Sequence, residues 1–237
     1  MKDHISCIIL AKDETESLKR CLDSVAQLGE AIIVDDFSSD RIDRLISRTR
    51  EKLVHRKFDN LTDQRMFGAG QATKKWILFL DADECLTKSS LNEIERTVKQ
   101  NMRNYYAIPR ENIVLGKILK HGNWYPDYQL RLMKRDQVNF HPQSEEVGRL
   151  EIPLKHYSHR DIGEWGKKYW RATDILAKTR TKVDLSPLLK SLNDVKYRLV
   201  KGKGYKDGFI GVITILYLPV FELTIFLKLM AKKLWTV

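Results

Sequence analysis

The segment Trp76–Leu80 (WILFL) is uninterrupted apolar sequence, stopped abruptly by Asp81-Ala82-Asp83-Glu84. A run this short and this apolar is a strand buried on both faces, since a half-exposed strand alternates and a helix needs more length. Two shorter runs have the same character, Ile5–Leu10 and Ala31–Val34 ending at Asp35-Asp36, and Leu53–His55 reads as a third short strand. Segments of helical period separate them. In residues 14–28, Leu18, Cys21, Leu22, Val25 and Leu28 form one stripe; Arg41–Lys52 is amphipathic; Thr62–Thr73 reads as helix despite Gly68 and Gly70; Ser89–Asn101 puts Leu91, Ile94 and Val98 in register. Strand and helix alternating at this spacing predict an α/β fold, a parallel sheet with crossover helices. Ligands of such sheets sit beyond the carboxyl ends of the strands, and both acidic clusters fall there.

From about residue 105 the plan changes. Tyr105–Pro109 and Ile113–Leu119 read as strands, followed by HGNWYPDYQLRL and a loop-like HPQSEEVG. Residues 161–200 are helical and basic, punctuated by Ser186-Pro187, where a new helix starts. Residues 1–150 carry 25 Lys+Arg against 23 Asp+Glu, and residues 151–237 carry 17 against 8. The net charge of +11 therefore sits almost wholly in the last third and seeks an anionic partner, nucleic acid or a membrane surface. Hydrophobic residues at 43% and charged residues at 31% exclude both disorder and a polytopic membrane protein. Cys7, Cys21 and Cys85 form no C-x-x-C, which argues against a disulfide scaffold or zinc knuckle and for a reducing compartment. The first residues lack the pattern of a secretory signal, so a cytosolic-side protein is expected.

Asp81 and Asp83, one residue apart on a turn after a buried strand, can face one divalent cation. Mg²⁺ and Mn²⁺ prefer oxygen ligands and keep substrate phosphates in their shell, as a departing diphosphate requires. The alternative is a solvated acidic turn capping the next helix. At the second cluster a carboxylate can accept the imide N–H of uracil or a ribose hydroxyl, while Ser38, Ser39 or Asp40 caps the following helix.

Three stretches, AKDETESLKRCLDSV, IIVDDFSSD and DQRMFGAGQATKKWILFLDADE, stand in order and at spacing that resemble glycosyltransferase family 2. The likeness is close over residues 5–85 and looser to about 160. It implies a GT-A, Rossmann-like fold for residues 1–160, binding a nucleotide-diphosphate sugar through a metal, Mg²⁺ or Mn²⁺, and transferring the sugar with inversion. By the same resemblance Asp36 matches the base-recognising aspartate, Arg65 an arginine near the nucleotide, and Asp81 and Asp83 the D-x-D, with Asp83 the direct metal ligand. The chain departs from the family pattern in having Asp13-Glu14 for Asn-Glu and Phe37 for the glycine after VDD. DADE with GNWYPDYQLRL looks most like the lipopolysaccharide-core β-glucosyltransferases and related envelope enzymes.

An inverting transfer needs a base for the acceptor hydroxyl. The family's acidic residue ahead of a leucine and arginine points to Asp127 in Pro126-Asp127-Tyr128-Gln129-Leu130-Arg131, with Glu145 and Glu146 in reserve. Asp127 lies in an aromatic stretch whose desolvation would raise its pKa; alternatively it only pairs with Arg131, which could itself steady the diphosphate. Trp124 and Tyr125 offer faces for stacking on a sugar or for core packing. His156-x-x-His159 lacks the frame of a metal site.

Phe209–Leu227 is 19 residues interrupted only by Pro219 and Glu222. As a helix it is about 28 Å long at ~1.5 Å per residue, against a bilayer core of roughly 30 Å. Lys201, Lys203 and Lys206 precede it, and Lys228, Lys232 and Lys233 follow. Positive charge at both ends, with Pro219 and Glu222 inside, disfavours a span. The expectation for the basic helical region 161–237 is a helix or broken hairpin lying in an anionic membrane interface, with Trp235 at its boundary. The alternatives are a buried closing helix or a homodimer contact. A nucleic-acid groove would interleave arginines with stacking aromatics, so no nucleic acid is expected.

The composite expectation is a hexosyltransferase on the cytoplasmic face of the inner or plasma membrane. Its donor is a nucleotide sugar, UDP first among bases, and its acceptor a lipid-linked or envelope glycan. Rival readings are a polyprenyl-phosphate glycosyltransferase, a non-catalytic membrane-tethered subunit that binds sugar nucleotides, and a nucleotidyltransferase, which would show a Gly-rich phosphate loop where AKDETES stands.

Overall fold

The structure, a computed structural model, describes residues 4–39, 42–47, 51–180 and 182–235. Asp40, Arg41 and the side chain of Trp235, singled out above, lie outside the described residues. The chain divides into two compact units, residues 1–110 with 128–156, and residues 111–127 with 157–237.

The first unit is built on a mixed sheet. Its parallel half consists of β1 (Ile5–Ala11), β2 (Glu30–Asp35), β3 (Lys52–His55) and β4 (Trp76–Asp81), in the order β3-β2-β1-β4. β8 (Asp127–Lys134) then pairs antiparallel with β4, and the order continues through β6 (Tyr105–Val114) and β10 (Leu154–His159) to the short β5 (Glu84–Cys85). The expected parallel sheet is therefore mixed beyond β4: β8 runs antiparallel to β4 and β10 to β5, while the short β9 (Val147–Arg149) pairs parallel with β6. Pro109 does not end a strand as expected: Tyr105–Val114 runs through it as one element.

β1, β2 and β4 are buried because each feeds two cores, whereas β3, at the end of the sheet, is only half-buried. On one side Ile5, Cys7 and Ile9 of β1 meet Leu18, Cys21, Leu22 and Val25 of α1 (Thr15–Val25) and Leu91, Ile94 and Val98 of α4 (Lys88–Gln100). On the other, Ile8 joins Ile32, Val34, Ile77 and Phe79. Burying one such side chain contributes about 1.5–3 kcal/mol. The buried thiols of Cys7 and Cys21 are pushed up by desolvation. α4 starts at a capping box, where Ser90 N–H donates to Thr87 Oγ1 and Thr87 N–H to Ser90 Oγ, and stops at Asn101 in the left-handed conformation. The amphipathic segment after β2 is helical over Ile42–Ile46 (α2), and Lys52 already belongs to β3. Gly68 lets α3 (Leu61–Gly70) lie against β1: a Cβ there would stand 2.4 Å from Ile8 Cγ2.

In the second unit the end of β6 turns through Leu115 and Gly116, both at positive φ, into β7 (Lys117–Ile118). Asp207 is buried and accepts from the N–H groups of Lys120 (2.9 Å) and His121 (2.7 Å), with His121 Nδ1 at 2.8 Å. Three helices follow: α5 (Ile162–Thr179), α6 (Ser186–Lys196) and α7 (Gly208–Trp235). α7 is one continuous helix, so Pro219 does not break it into the hairpin considered above. Nor does Glu222 stand alone, since it pairs with Arg180 at 2.6 and 3.1 Å. Tyr217 and Phe221 of α7 pack on Tyr169 of α5.

Candidate active site

The register of the parallel half builds the site. Ala11 of β1 pairs with Asp35, and Leu10 with Asp81, so the two acidic strand ends flank the carboxyl end of β1. The chain leaves both in the same way: Asp36 N–H donates to Ala11 O, and Ala82 N–H to Leu10 O.

The adjacent carboxylates Asp35 and Asp36 differ in use. Asp35 is buried, accepts from Ser38 N–H at 3.0 Å and from the Ser38 hydroxyl, and lies 3.1 Å from His55 Nδ1. It organises the turn. Asp36 accepts from Phe58 N–H at 2.8 Å, and Lys12 Nζ bonds the carbonyls of residues 36 and 37 at 2.5 and 2.8 Å. Phe37 adopts φ 51°, the left-handed region that favours glycine, and its ring, 61% exposed, stacks on His55 at 5.6 Å. Asp13, also at positive φ, accepts from Ser39 N–H and hydroxyl.

Asp81 is gripped by two arginines. Arg65 Nη2 of α3 lies 3.1 Å from Oδ1, and Arg131 Nη2 of β8 lies 2.8 Å from Oδ2. Arg65 arrives because Asn60 caps α3, its Oδ1 accepting from Asp63 N–H, and because Gly68 holds the helix close. Arg131 Nη2 also reaches Glu84 Oε1 at 2.5 Å, Arg110 lies 3.4 Å from the same oxygen, and Asp81 N–H donates to Glu84 Oε2. Desolvation alone would raise the Asp81 carboxyl, but Arg131 and Arg65 hold it below the usual range. Glu84, with no exposed surface, is pushed up by burial against the pull of Arg131. Arg131 is itself 2% exposed and committed to these carboxylates, so its position is that of a brace for Asp81 rather than of a side chain open to a diphosphate.

Asp83 has a different neighbour. Its Oδ1 is 3.5 Å from His156 Nε2, with both side chains mostly buried. Among the described residues no three His, Cys, Asp or Glu side chains form a closed metal cage. A carboxylate and an imidazole side by side nevertheless fit a cation that completes its shell with phosphate and water. The H-x-x-H pair separates in use: His156 meets Asp83, and His159 stacks on Trp165 at 5.0 Å in the second unit. Sequence reasoning assigned no part to Glu84 or Arg110, and the contact of His156 with Asp83 had no signal beyond that H-x-x-H.

In the second unit Asp127 receives the Asn112 amide, Nδ2 to Oδ2 at 3.2 Å, and the same nitrogen bonds Trp124 O at 3.1 Å. Arg198 covers the Trp124 ring at 4.9 Å. In the first unit Glu145 and Glu146 lie exposed on a single helical turn, accepting from the Ser144 hydroxyl and from Gln143 N–H respectively.

Residues 6–147 match a family model described as glycosyl transferase family 2. A TPR repeat-containing protein of Synechococcus elongatus is 33% identical over 116 residues, 48% of this chain and 29% of that protein. An uncharacterized glycosyltransferase of Rickettsia bellii is 32% identical over 115 residues, 48% of this chain and 39% of that protein. The chain thus spans about a third of the length of these curated relatives. Among solved structures, S. aureus TarS 1–349 in complex with UDP-GlcNAc superposes with a TM-score of 0.51 at 13% identity, covering 90% of this chain and 79% of that one. Its complex with UDP gives 0.52 at 13%, covering 87% and 72%. At these identities the likeness is one of fold.

Proposed function

The chain belongs to glycosyl transferase family 2, and from that membership we propose that it moves a hexose, with inversion, from a nucleoside-diphosphate sugar to a hydroxyl of a lipid-linked or cell-envelope glycan such as a lipopolysaccharide core. The observation that carries this reading is the pair of acidic strand ends on either side of β1, one displaying Asp36 and the other Asp81 to Asp83. UDP is the proposed carrier because a carboxylate at the position of Asp36 accepts the uracil imide N–H, and TarS, which shares the fold, is solved with UDP and UDP-GlcNAc.

Each residue has a chemical part. Asp36 accepts from the base. Arg65, oriented by Asp81, donates to the diphosphate, and Arg131 keeps Asp81 in place for that purpose. A divalent cation, Mg²⁺ or Mn²⁺, held by Asp83 and His156 at the D-x-D end of β4, would neutralise the charge gathering on the departing diphosphate. Asp127, oriented by Asn112, takes the proton from the acceptor hydroxyl. The C-terminal helix α7 seats the protein on the cytoplasmic face of a membrane, where a lipid-linked acceptor lies. Support for that placement is its length and apolarity: it is the one helix among the described residues long and apolar enough to cross a bilayer, and only 22% of its most apolar window is buried.

The test is donor binding and slow hydrolysis across a panel of nucleotide sugars, with Mg²⁺, with Mn²⁺ and with chelator. Metal-dependent turnover of one donor, abolished by Asp83→Ala, is expected; no binding of any donor in either condition refutes the transferase reading. Asp127→Asn is expected to keep donor binding and lose transfer, and unchanged transfer removes Asp127 as the base.

A further inference from the structure

Within the second unit, residues of β6, β10, α5 and α7 line a cleft of about 210 Å³. Trp124, Trp165 of α5 and Tyr217 of α7 supply aromatic rings, and Asn112 of β6 with Ser158 and His159 of β10 supply polar groups. The three aromatic residues are half-buried, so each ring keeps part of its surface accessible. Both indoles are backed on one face. Arg198 covers Trp124 at 4.9 Å and is itself held by Asp194 at 2.6 Å and by Gly122 O at 2.9 Å. His159 stacks on Trp165 at 5.0 Å with the planes 6° apart. The rings are thus fixed before a ligand arrives, which lowers the ordering cost of binding.

The lining limits what the cleft can hold. Among the described residues that line it there is no lysine, arginine, aspartate or glutamate, so a phosphate or a nucleotide has no charge partner there. Its volume lies below the about 300–1,000 Å³ of pockets for drug-sized ligands and suits a single ring. A wholly apolar chain leaves polar groups unmatched. Trp124 Nε1 is buried and has no hydrogen-bond acceptor among the described residues, and amide, hydroxyl and imidazole groups stand in the same lining. A pyranose meets both demands, offering C–H groups to the aromatic faces and hydroxyls to the polar atoms. Asn112 ties the cleft to the proposed base. It is 5% exposed, and its Nδ2 donates to Asp127 Oδ2 at 3.2 Å and to Trp124 O at 3.1 Å. A ring seated against Asn112 therefore has Asp127 one side chain away.

We propose, resting on the reading of Asp127 as the acceptor base, that this cleft is a subsite for one hexose ring of the glycan acceptor. A hydroxyl oxygen of that ring bonds to the donor's anomeric carbon as the nucleoside diphosphate departs, and its proton passes to Asp127. The test is saturation-transfer NMR on the full chain with methyl glucoside, methyl galactoside and methyl mannoside, and with farnesol as an apolar probe. At least one hexoside is expected to bind with a dissociation constant on the order of 1 mM, as suits a single ring. Trp165→Leu is expected to weaken it by at least tenfold, and Leu218→Trp, which fills the cleft instead of emptying it, to do the same. Trp170→Leu removes an exposed indole of α5 outside the cleft lining and is expected to leave binding unchanged, with circular dichroism confirming that all three variants fold. Equal losses from Trp165→Leu and Trp170→Leu overturn the cleft in favour of adventitious contact with surface aromatics. Farnesol bound in place of every hexoside, and lost in Trp165→Leu, overturns the sugar and assigns the cleft to a prenyl chain. The hexoside that binds is expected to raise donor consumption at least tenfold above hydrolysis, a rise lost in Trp165→Leu; a bound hexoside that leaves consumption unchanged overturns the acceptor role. Donor hydrolysis with no hexoside bound sinks this inference and leaves the transferase reading standing. Hexoside binding with no donor bound or hydrolysed ends the transferase reading, and with it the acceptor role.

Discussion

Replacing Arg131 by leucine tests the electrostatic core of the proposed site. Arg131 is 2% exposed and bonds Asp81 at 2.8 Å and Glu84 at 2.5 Å; once it is gone, Glu84 keeps Arg110 at 3.4 Å and the Asp81 N–H. Breaking a buried pair by removing one partner costs about 3–5 kcal/mol, because the remaining charge keeps its desolvation penalty. For a chain of this size that lowers Tm by roughly 10–15 °C. Adding Glu84→Gln should return much of the loss, since the stranded charge disappears with its partner. The pH dependence has a definite sign. Burial already pushes the Glu84 carboxyl up, and losing Arg131 removes the charge that opposes that push and one of the two that hold the Asp81 carboxyl down, so both shift upward. A raised folded-state pKa contributes stability that is present below the unfolded value and lost as pH rises, so the deficit is smallest in acid and grows toward neutrality. Thermal and urea unfolding of the three proteins at pH 4 and pH 7 read this directly. A single-variant cost below about 1 kcal/mol, or no recovery in the double variant, would show that the cluster is not the closed charge network described.

Other expectations follow from single positions. Phe37→Gly relieves a left-handed φ of 51° and should raise stability by about 1 kcal/mol; a lower Tm would mean that the stack on His55 outweighs the strain. Gly68→Ala forces a Cβ to 2.4 Å from Ile8 Cγ2 and should cost about 1–3 kcal/mol in urea unfolding, with Gly70→Ala, which meets nothing, as the tolerated control. Asp36→Ala should reduce UDP affinity by about tenfold or more in calorimetry, and an unchanged affinity removes it from base recognition.

How much of this was legible in the sequence differs element by element. The strands at residues 5–11, 30–35 and 76–81 and the stripes of α1 and α4 were readable because a strand buried on both faces and an amphipathic helix each impose a local period. The run through Pro109 was not, because strand pairing is a tertiary event that overrides a local breaker. Glu222 in α7 looked like a cost, and only packing brings Arg180 of the segment after α5 to meet it.

The sequence alone determined that Asp36, Asp81 and Asp83 follow buried strands, since apolar runs ending in carboxylates announce a sheet edge open to ligands. Which carboxylate does what was decided by tertiary structure. Asp35 turns inward to Ser38 and His55, Asp81 is taken up by Arg65 from one helix and Arg131 from a strand fifty residues away, and Asp83 meets His156. A charge's role depends on the partners and solvent around it, and those come from parts of the chain that no local pattern connects.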